Sequence, residues 1–184
     1  IEFPDTLRIS RARSLPNLGP RMLFFSGGSA LNEIARTLKQ YTHNSTHLIT
    51  PFDSGGSSQV LRHAFKMPAV GDLRSRLMAL ADESVLGQPE IFRLFAYRFS
   101  TSETPAALAD EFESLLDGRH PHIKAISQPM RSLILSQLKI VAAARPPNFD
   151  LSGASVGNLI LAGGYLANDR ALEPVLFLMS KMVA

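Results

Sequence analysis

Two short apolar runs stand apart in a chain whose other hydrophobic positions recur at helical spacing. Met22-Leu23-Phe24-Phe25 stops at Ser26-Gly27-Gly28-Ser29, and His47-Leu48-Ile49-Thr50 stops at Pro51-Phe52-Asp53-Ser54-Gly55-Gly56-Ser57-Ser58. Between them Leu31, Ile34, Ala35 and Leu38 repeat every three or four residues, the period of one helix face. The order strand, Gly-rich turn, helix, strand, Gly-rich turn predicts a βαβ unit with both turns at the carboxyl ends of its strands. In open α/β sheets that edge is where ligands bind.

Downstream the period is helical throughout. Residues 57–65 predict a short helix with Val60, Leu61 and Ala64 inward. Asp72 is placed to cap a helix carrying Leu73, Leu77, Met78, Leu80 and Ala81. From 88 to about 150 the pattern predicts a helical insertion or cap on the α/β part. Its first helix starts at Pro89 and is expected to extend to Phe99, the second opens at Thr104-Pro105 and ends at Gly118, and the third runs from Pro129 to Arg145-Pro146-Pro147. A small-residue turn, Leu151 to Asn158, leads into an apolar helix over 159–166, and a final helix spans 172–182. Residues 1–20, with Pro4, Pro16, Gly19 and Pro20 around Arg8, Arg11 and Arg13, read as an extended, solvated arm. The domain proper is then 21–184, an α/β Rossmann-like parallel sheet with a helical insertion. Two strands are too few for a doubly wound sheet, so later strands are expected beyond Ala184, in keeping with a start at Ile1 and an end within a helical pattern.

Composition narrows the class. At 184 residues, 45% hydrophobic, the chain suits one domain with a sizeable core. Its net charge of +3 is small and spread out, which argues against nucleic acid as a partner. Of the 19 cations 14 are Arg, whose planar fork suits phosphate and carboxylate, although a GC-rich genome gives the same bias. With no cysteine, disulfides and thiolate metal sites are excluded. No apolar run reaches membrane-spanning length and nothing resembles a signal peptide, so the expectation is a cytoplasmic protein without a membrane partner.

Candidate chemistry gathers at the turns. Gly27, Gly28 and Ser29 at a strand-to-helix turn would let backbone N–H groups approach a phosphate, though paired glycines are also plain turn punctuation. Asp53 ends the second strand, where an acid can accept from a ribose or hold a divalent cation against phosphates. Gly55, Gly56, Ser57 and Ser58 would add unobstructed N–H groups and hydroxyls, or merely open a helix. Asp72 offers a second carboxylate and is equally explained as a cap. Arg74 and Arg76 cannot share a helix face, so one of them at most is expected to point at the site. Gly157-Asn158 opens another helix and could contact a base or sugar. The histidines suggest no metal triad. Ser26, Ser57 and Ser58 have no evident His-acid relay, and no G-x-S-x-G elbow occurs.

Taken together, SGGSAL, FDSGGSS, MPAVGDLRSRLMALAD and VGNLILAGGYL resemble the CofD-like superfamily. It includes 2-phospho-L-lactate transferases of deazaflavin cofactor synthesis and a group called gluconeogenesis factors, which carry GGGTGL, DDGGSS, PGDIRNCL and GNL in the same order. The resemblance spans Met22 to Asp82 and resumes at Gly157. It implies a Rossmann-like core and a transferase that moves a phospho-acid group from a nucleotide-activated donor, with Mg²⁺ as the accompanying cation. The alternative it carries is a non-catalytic regulator that binds a nucleotide or nucleotide-sugar. By motif, Gly27, Gly28 and Ser29 would face phosphates and Asp53 would hold metal or acceptor. Gly55 to Ser58 would line the phosphate site, with Asp72 and Asn158 completing it. The expected partner is a nucleotide-containing small molecule, and a homodimer stays open. The chain departs from the gluconeogenesis-factor pattern in having Phe52-Asp53 for two acids, Ser29-Ala30 for Thr-Gly and Ser75 for Asn.

Overall fold

The first twenty residues are not extended throughout. In the computed structural model, which describes residues 3–52, 55–81 and 88–183, Thr6–Ser14 form helix α1. Asp5 caps it by accepting from the Arg8 N–H at 3.0 Å, and the Arg8 guanidinium pairs with the same carboxylate at 3.2 Å. No residue of α1 is buried, so local capping rather than packing specifies it. Strand β1 (Met22–Ser26), helix α2 (Asn32–Leu38) and strand β2 (Ser45–Ile49) then form the expected βαβ unit. The strands pair in parallel, with Phe24 opposite His47 and Ser26 opposite Ile49. Phe24 and His47 stack at 5.1 Å on one face, while Leu23, Phe25 and Leu48 stand exposed on the other.

Helices α3 (Gly56–Phe65) and α4 (Gly71–Leu80) follow. Leu61 and Phe65 turn inward on α3, whereas Val60, expected inward, is 38% exposed. The cap position of α4 belongs to Val70, and Asp72 lies in its first turn without a capping bond. Helix α5 (Pro89–Ala96) stops short of Phe99. Its chain becomes extended at Tyr97, where the Val156 N–H donates to the Tyr97 carbonyl and Arg98 bridges Ser155. Helix α6 (Pro105–Leu116) is capped by Thr104 and buries Leu108, Phe112, Leu115 and Leu116. A short α7 (Pro121–Lys124), α8 (Met130–Ala144), α9 (Val156–Ala167) and α10 (Glu173–Val183) complete the described residues, among which β1 and β2 are the strands.

The hydrophobic core sits in the helices rather than under the sheet. Phe95, Phe112, Leu115, Ile134, Leu138, Leu159 and Ile160 are all almost fully buried and belong to one cluster. The 88–150 block and α9 together supply most of this core. Residues 156–165 of α9 are buried without exception, as expected of a helix whose side chains are apolar or small all round. Helix α9 runs closest to α8. A Cβ at Gly163 would overlap the carbonyl of Gln137 and come within 2.6 Å of its carbon, and one at Gly164 would press on Val175 at 2.7 Å.

Backbone atoms cannot yield as a flexible side chain does, so Gly163→Ala must push α8 and α9 apart. Overpacking of this kind costs about 3 kcal/mol. The urea midpoint should fall accordingly. An unchanged midpoint would mean that the two helices can separate freely.

Candidate functional site

Helix α4 lies between the motifs and reaches them from two of its faces. At one end the first turn of α4 reaches the first Gly-rich turn. Asp72 Oδ2 lies 3.9 Å from the point where a Cβ on Gly27 would sit, and Thr50 flanks the same point at 3.7 Å. Among the described residues no donor bonds the Asp72 carboxylate; its electrostatic neighbour is Arg76. Gly28 has φ +58° and Gly56 φ +46°, with open space around both. Each occupies a left-handed conformation that suits glycine, and both turns are exposed along with Ser29 and Gly55.

At the other end α4 reaches α9. Arg74 Nε donates to Asn158 Oδ1 at 2.9 Å, and Arg74 Nη1 donates to the Phe95 carbonyl at 3.1 Å. Asn158 is 1% exposed, and its Nδ2 donates to Ser57 Oγ at 3.5 Å. The same Ser57 oxygen accepts from the Ser155 N–H at 3.0 Å. A hydroxyl accepting two N–H groups has used both lone pairs, which leaves the Ser57 proton to donate outward. Ser155 caps α9, its side chain accepting from the Asn158 N–H. Gly157 has no room for a side chain, since a Cβ would come within 2.6 Å of the Phe95 carbonyl and 2.7 Å of Arg74 Cδ.

Both arginines of α4 point inward, in different directions. Arg76 is 3% exposed and donates from Nη1 to the Leu31 carbonyl at 2.9 Å, while its Nε is buried without a partner. Burial disfavours its charge, and Asp72 offsets part of that cost. Arg74 is pushed down to about 10, first by burial and then by the guanidinium of Arg98. The expectation that at most one of them serves the site gives way to a division of labour: Arg76 buttresses the first turn and Arg74 braces the start of α9.

Ser57, Gly157 and Asn158 are thus drawn together with Arg74, and Gly27 with Asp72, the two groups being joined by α4. Ser58 is 3% exposed, turned into the protein beneath α3. The residue on which most of the proposed chemistry rests, Asp53, lies outside the described residues together with Ser54. Arg98 escaped notice because only the bridge to Ser155 brings it near. A Ser26–His47 pair was also missed: Ser26 Oγ lies 3.0 Å from His47 Nδ1, and His47 Nε2 lies 3.2 Å from Ser45 Oγ. Among the described residues no carboxylate completes that pair into a relay. His120 and His122 stack with Tyr97 at 5.2 and 4.9 Å, and His120 approaches Glu111 at 3.9 Å. The Tyr97 hydroxyl donates to Glu111, and burial with that bond pushes its pKa up to about 12. Among the described residues no group of three or more His, Asp or Glu could hold a metal, and no helix is long and apolar enough to cross a membrane.

Comparison with known proteins gives a consistent answer. Residues 22–184 match the family model described as "2-phospho-L-lactate transferase CofD". The gluconeogenesis factor of Bacillus subtilis is 38% identical over 81 residues, which is 44% of this chain and 24% of that protein. A Saccharomyces cerevisiae protein is 29% identical over 153 residues, 77% of this chain and 32% of its own length. A crystal structure of a UPF0052 family member from Bacillus halodurans superposes with TM-score 0.56 at 25% identity, covering 90% of this chain and 36% of that one. The chain thus spans well under half the length of these relatives.

The half-buried pairing of His47 has a consequence in acid. Burial, and after it the charge of Arg76, hold its pKa below the ordinary imidazole value. His120 is lowered too, by burial and by His122, with Glu111 acting in the opposite sense. An unfolded chain would take up these protons near pH 6.5 while the folded one resists them, so stability is complete above about pH 6.5 and is lost as pH falls through and below it. Urea midpoints should decline between pH 7 and 5, and His47→Gln should flatten part of that decline. A slope identical to the parent's would remove His47 from the account.

Proposed function

Since the chain belongs to the CofD family, we propose that it binds a nucleotide-linked phospho-ligand where its four motifs meet and acts as a phospho-acid transferase. The observation that carries this reading is that one helix, α4, sets Asp72 beside the Gly27 turn and Arg74 on Asn158, which in turn reaches Ser57. This arrangement joins residues from all four motifs at the carboxyl end of β1 and β2, where an α/β sheet takes its ligands. The Gly27-Gly28 turn offers backbone N–H groups without side-chain obstruction, and Ser57 offers a hydroxyl proton fixed by its two acceptor bonds.

In the proposed reaction an acceptor hydroxyl attacks the phosphorus that carries the hydroxy acid. The new P–O bond forms as the bond to the nucleotide's phosphate breaks, and a nucleoside monophosphate leaves. The hydroxyl proton passes to a carboxylate, for which the motif offers Asp53. Such a transfer depends on positioning and on neutralising charge, more than on a covalent nucleophile. Mg²⁺ is bound through one or two carboxylates together with ligand phosphates. The carboxylate of Asp72, beside the Gly27 turn and without a hydrogen bond among the described residues, fits that role, with Asp53 as the second ligand; the cation would supply charge neutralisation.

A second reading has its own support. The DSGGSS form of the second turn lies closer to the DDGGSS of the gluconeogenesis factors than to the deazaflavin transferases, and this chain has one acid, Asp53, where that group has two. On this reading the protein holds a nucleotide or nucleotide-sugar without turnover.

A thermal-shift panel of nucleotides and nucleotide-sugars, with and without Mg²⁺, tests binding through linkage. A ligand at a hundredfold its Kd should add about 2.7 kcal/mol. If Asp53→Asn abolishes product formation from a nucleotide-activated donor while leaving nucleotide affinity within about twofold, the transferase reading holds. Nucleotide binding with no turnover of any donor supports the regulator. No stabilisation by any nucleotide would sink both.

A further inference from the structure

The first turn of α9 collects two guanidiniums and, among the described residues, no carboxylate bonded to either. Arg74 lays its stem across Gly157 and its head on Asn158 and the Phe95 carbonyl. Arg98 comes from the other side. Its backbone bridges Ser155, the cap of α9, and its Nη1 donates to the Gly153 carbonyl at 3.1 Å. Both cations are therefore tied to the same two backbone segments, 95–98 and 153–158. A guanidinium has five N–H donors in a fixed fork. Arg74 commits two bonds and Arg98 one, all to neutral oxygens.

Some arginines elsewhere pair with acids, Arg36 with Glu33, Arg93 with Glu90 and Arg119 with Asp117, while Arg131 and Arg170 spend their donors on carbonyls. Among the described residues neither Arg74 nor Arg98 has an acidic partner. Their mutual repulsion is felt at Arg74, which burial already disfavours as a cation. A brace between α5 and α9 would account for Arg74 alone. Arg98, bridged to Ser155 and bonded to the Gly153 carbonyl, keeps an exposed head and most of its donors uncommitted.

We propose that Arg74 and Arg98 form a phosphate subsite at the start of α9, beside Ser57 and Asn158. The ligand then carries a phosphate oxyanion on this side as well as one at the Gly27-Gly28 turn. The inference rests on the reading that a phosphorylated ligand occupies the region where the motifs meet. Two guanidinium forks present parallel N–H groups that match the oxygens of a phosphate. Arg74 supplies the fixed half, and Arg98, bonded only at its rim, supplies the half that turns toward the ligand.

Arg98→Gln is the informative variant, since its side chain is exposed and its backbone bridge is kept. Calorimetric titration at one fixed salt concentration would compare the parent, Arg98→Gln and Arg119→Gln, using inorganic pyrophosphate and, separately, ADP, GDP and UDP. The expected result is about tenfold weaker binding of the nucleoside diphosphate that the parent prefers in Arg98→Gln. Arg119→Gln, whose cation is paired to Asp117, should stay within about twofold. Arg74→Lys keeps the charge but not the fork and should lose affinity as well, with its melting temperature checking that α9 is still held. Equal affinities for the parent and Arg98→Gln would overturn the subsite and leave the nucleotide reading standing, and so would equal losses in Arg98→Gln and Arg119→Gln. Pyrophosphate binding that depends on Arg98, with no nucleotide bound, would uphold the subsite and remove the nucleotide reading. No binding of any probe to the parent would overturn both.

Discussion

The contact on which the rest depends is the meeting of α9 with α8 at Gly163, where no side chain fits between helix α9 and the Gln137 carbonyl. Backbone-to-backbone approach of this kind fixes both the separation and the rotation of the two helices, because neither surface can yield. With its rotation set, and with residues 156–165 enclosed by core on every side, α9 can present its first turn in only one way. Gly157 then allows the Phe95 carbonyl and the stem of Arg74 to cross that turn at close range. Asn158 follows as a consequence: it is held buried, with its carbonyl turned to Arg74 and its amide to Ser57. A packing constraint deep in the helical body thus places a polar group at the edge of the sheet.

Helix α4 connects the two halves of the candidate site by its angular period. Asp72 and Arg76 are four residues apart and share a face, which looks toward β1 and the start of α2. Arg74, between them in sequence, lies on another face and looks toward α9. One exposed turn of backbone would have allowed only one of these directions. A helix wedged between the sheet unit and the helical body serves both, which is why a short stretch contributes an anion, a buried cation and a half-buried cation to three different neighbours.

How much of this is legible in the sequence depends on how local each cause is. The βαβ unit was readable because apolar runs that end in glycine pairs leave few alternatives, and α6 was readable from Thr104-Pro105 together with Leu108, Phe112, Leu115 and Leu116. Helix α1 was not, because it rests on the Asp5 cap and buries no residue, while the prolines and glycine on either side of it argue for a loop. The early end of α5 was hidden in the same way: residues 97–99 keep an apolar character that suits a helix, and only the pairing of Arg98 with Ser155 makes them extended. Val60 fell on the wrong side of α3 because period alone does not say which part of a broad apolar face meets the core. Ser26 and His47 needed the strand register before they could be seen as neighbours. The motif residues were nameable in advance, whereas their contacts with one another, formed between helices whose angles depend on Gly157 and Gly163, were not.

The long reach of the Ser57–Asn158 contact has a consequence for how the protein comes together. Its two residues are 101 positions apart, against a separation of a few tens for the closest contacts between α8 and α9. Chain entropy lost on closing a loop grows with the logarithm of its length, so the helical body can consolidate from near neighbours while the βαβ unit is still only tethered to it. The edge where the motifs meet is then the seam between an early-forming part and a late-joining one. Seams of this kind open at less free energy than the core, and a molecule lodged across this one would hold the two parts together as much as it would be held by them.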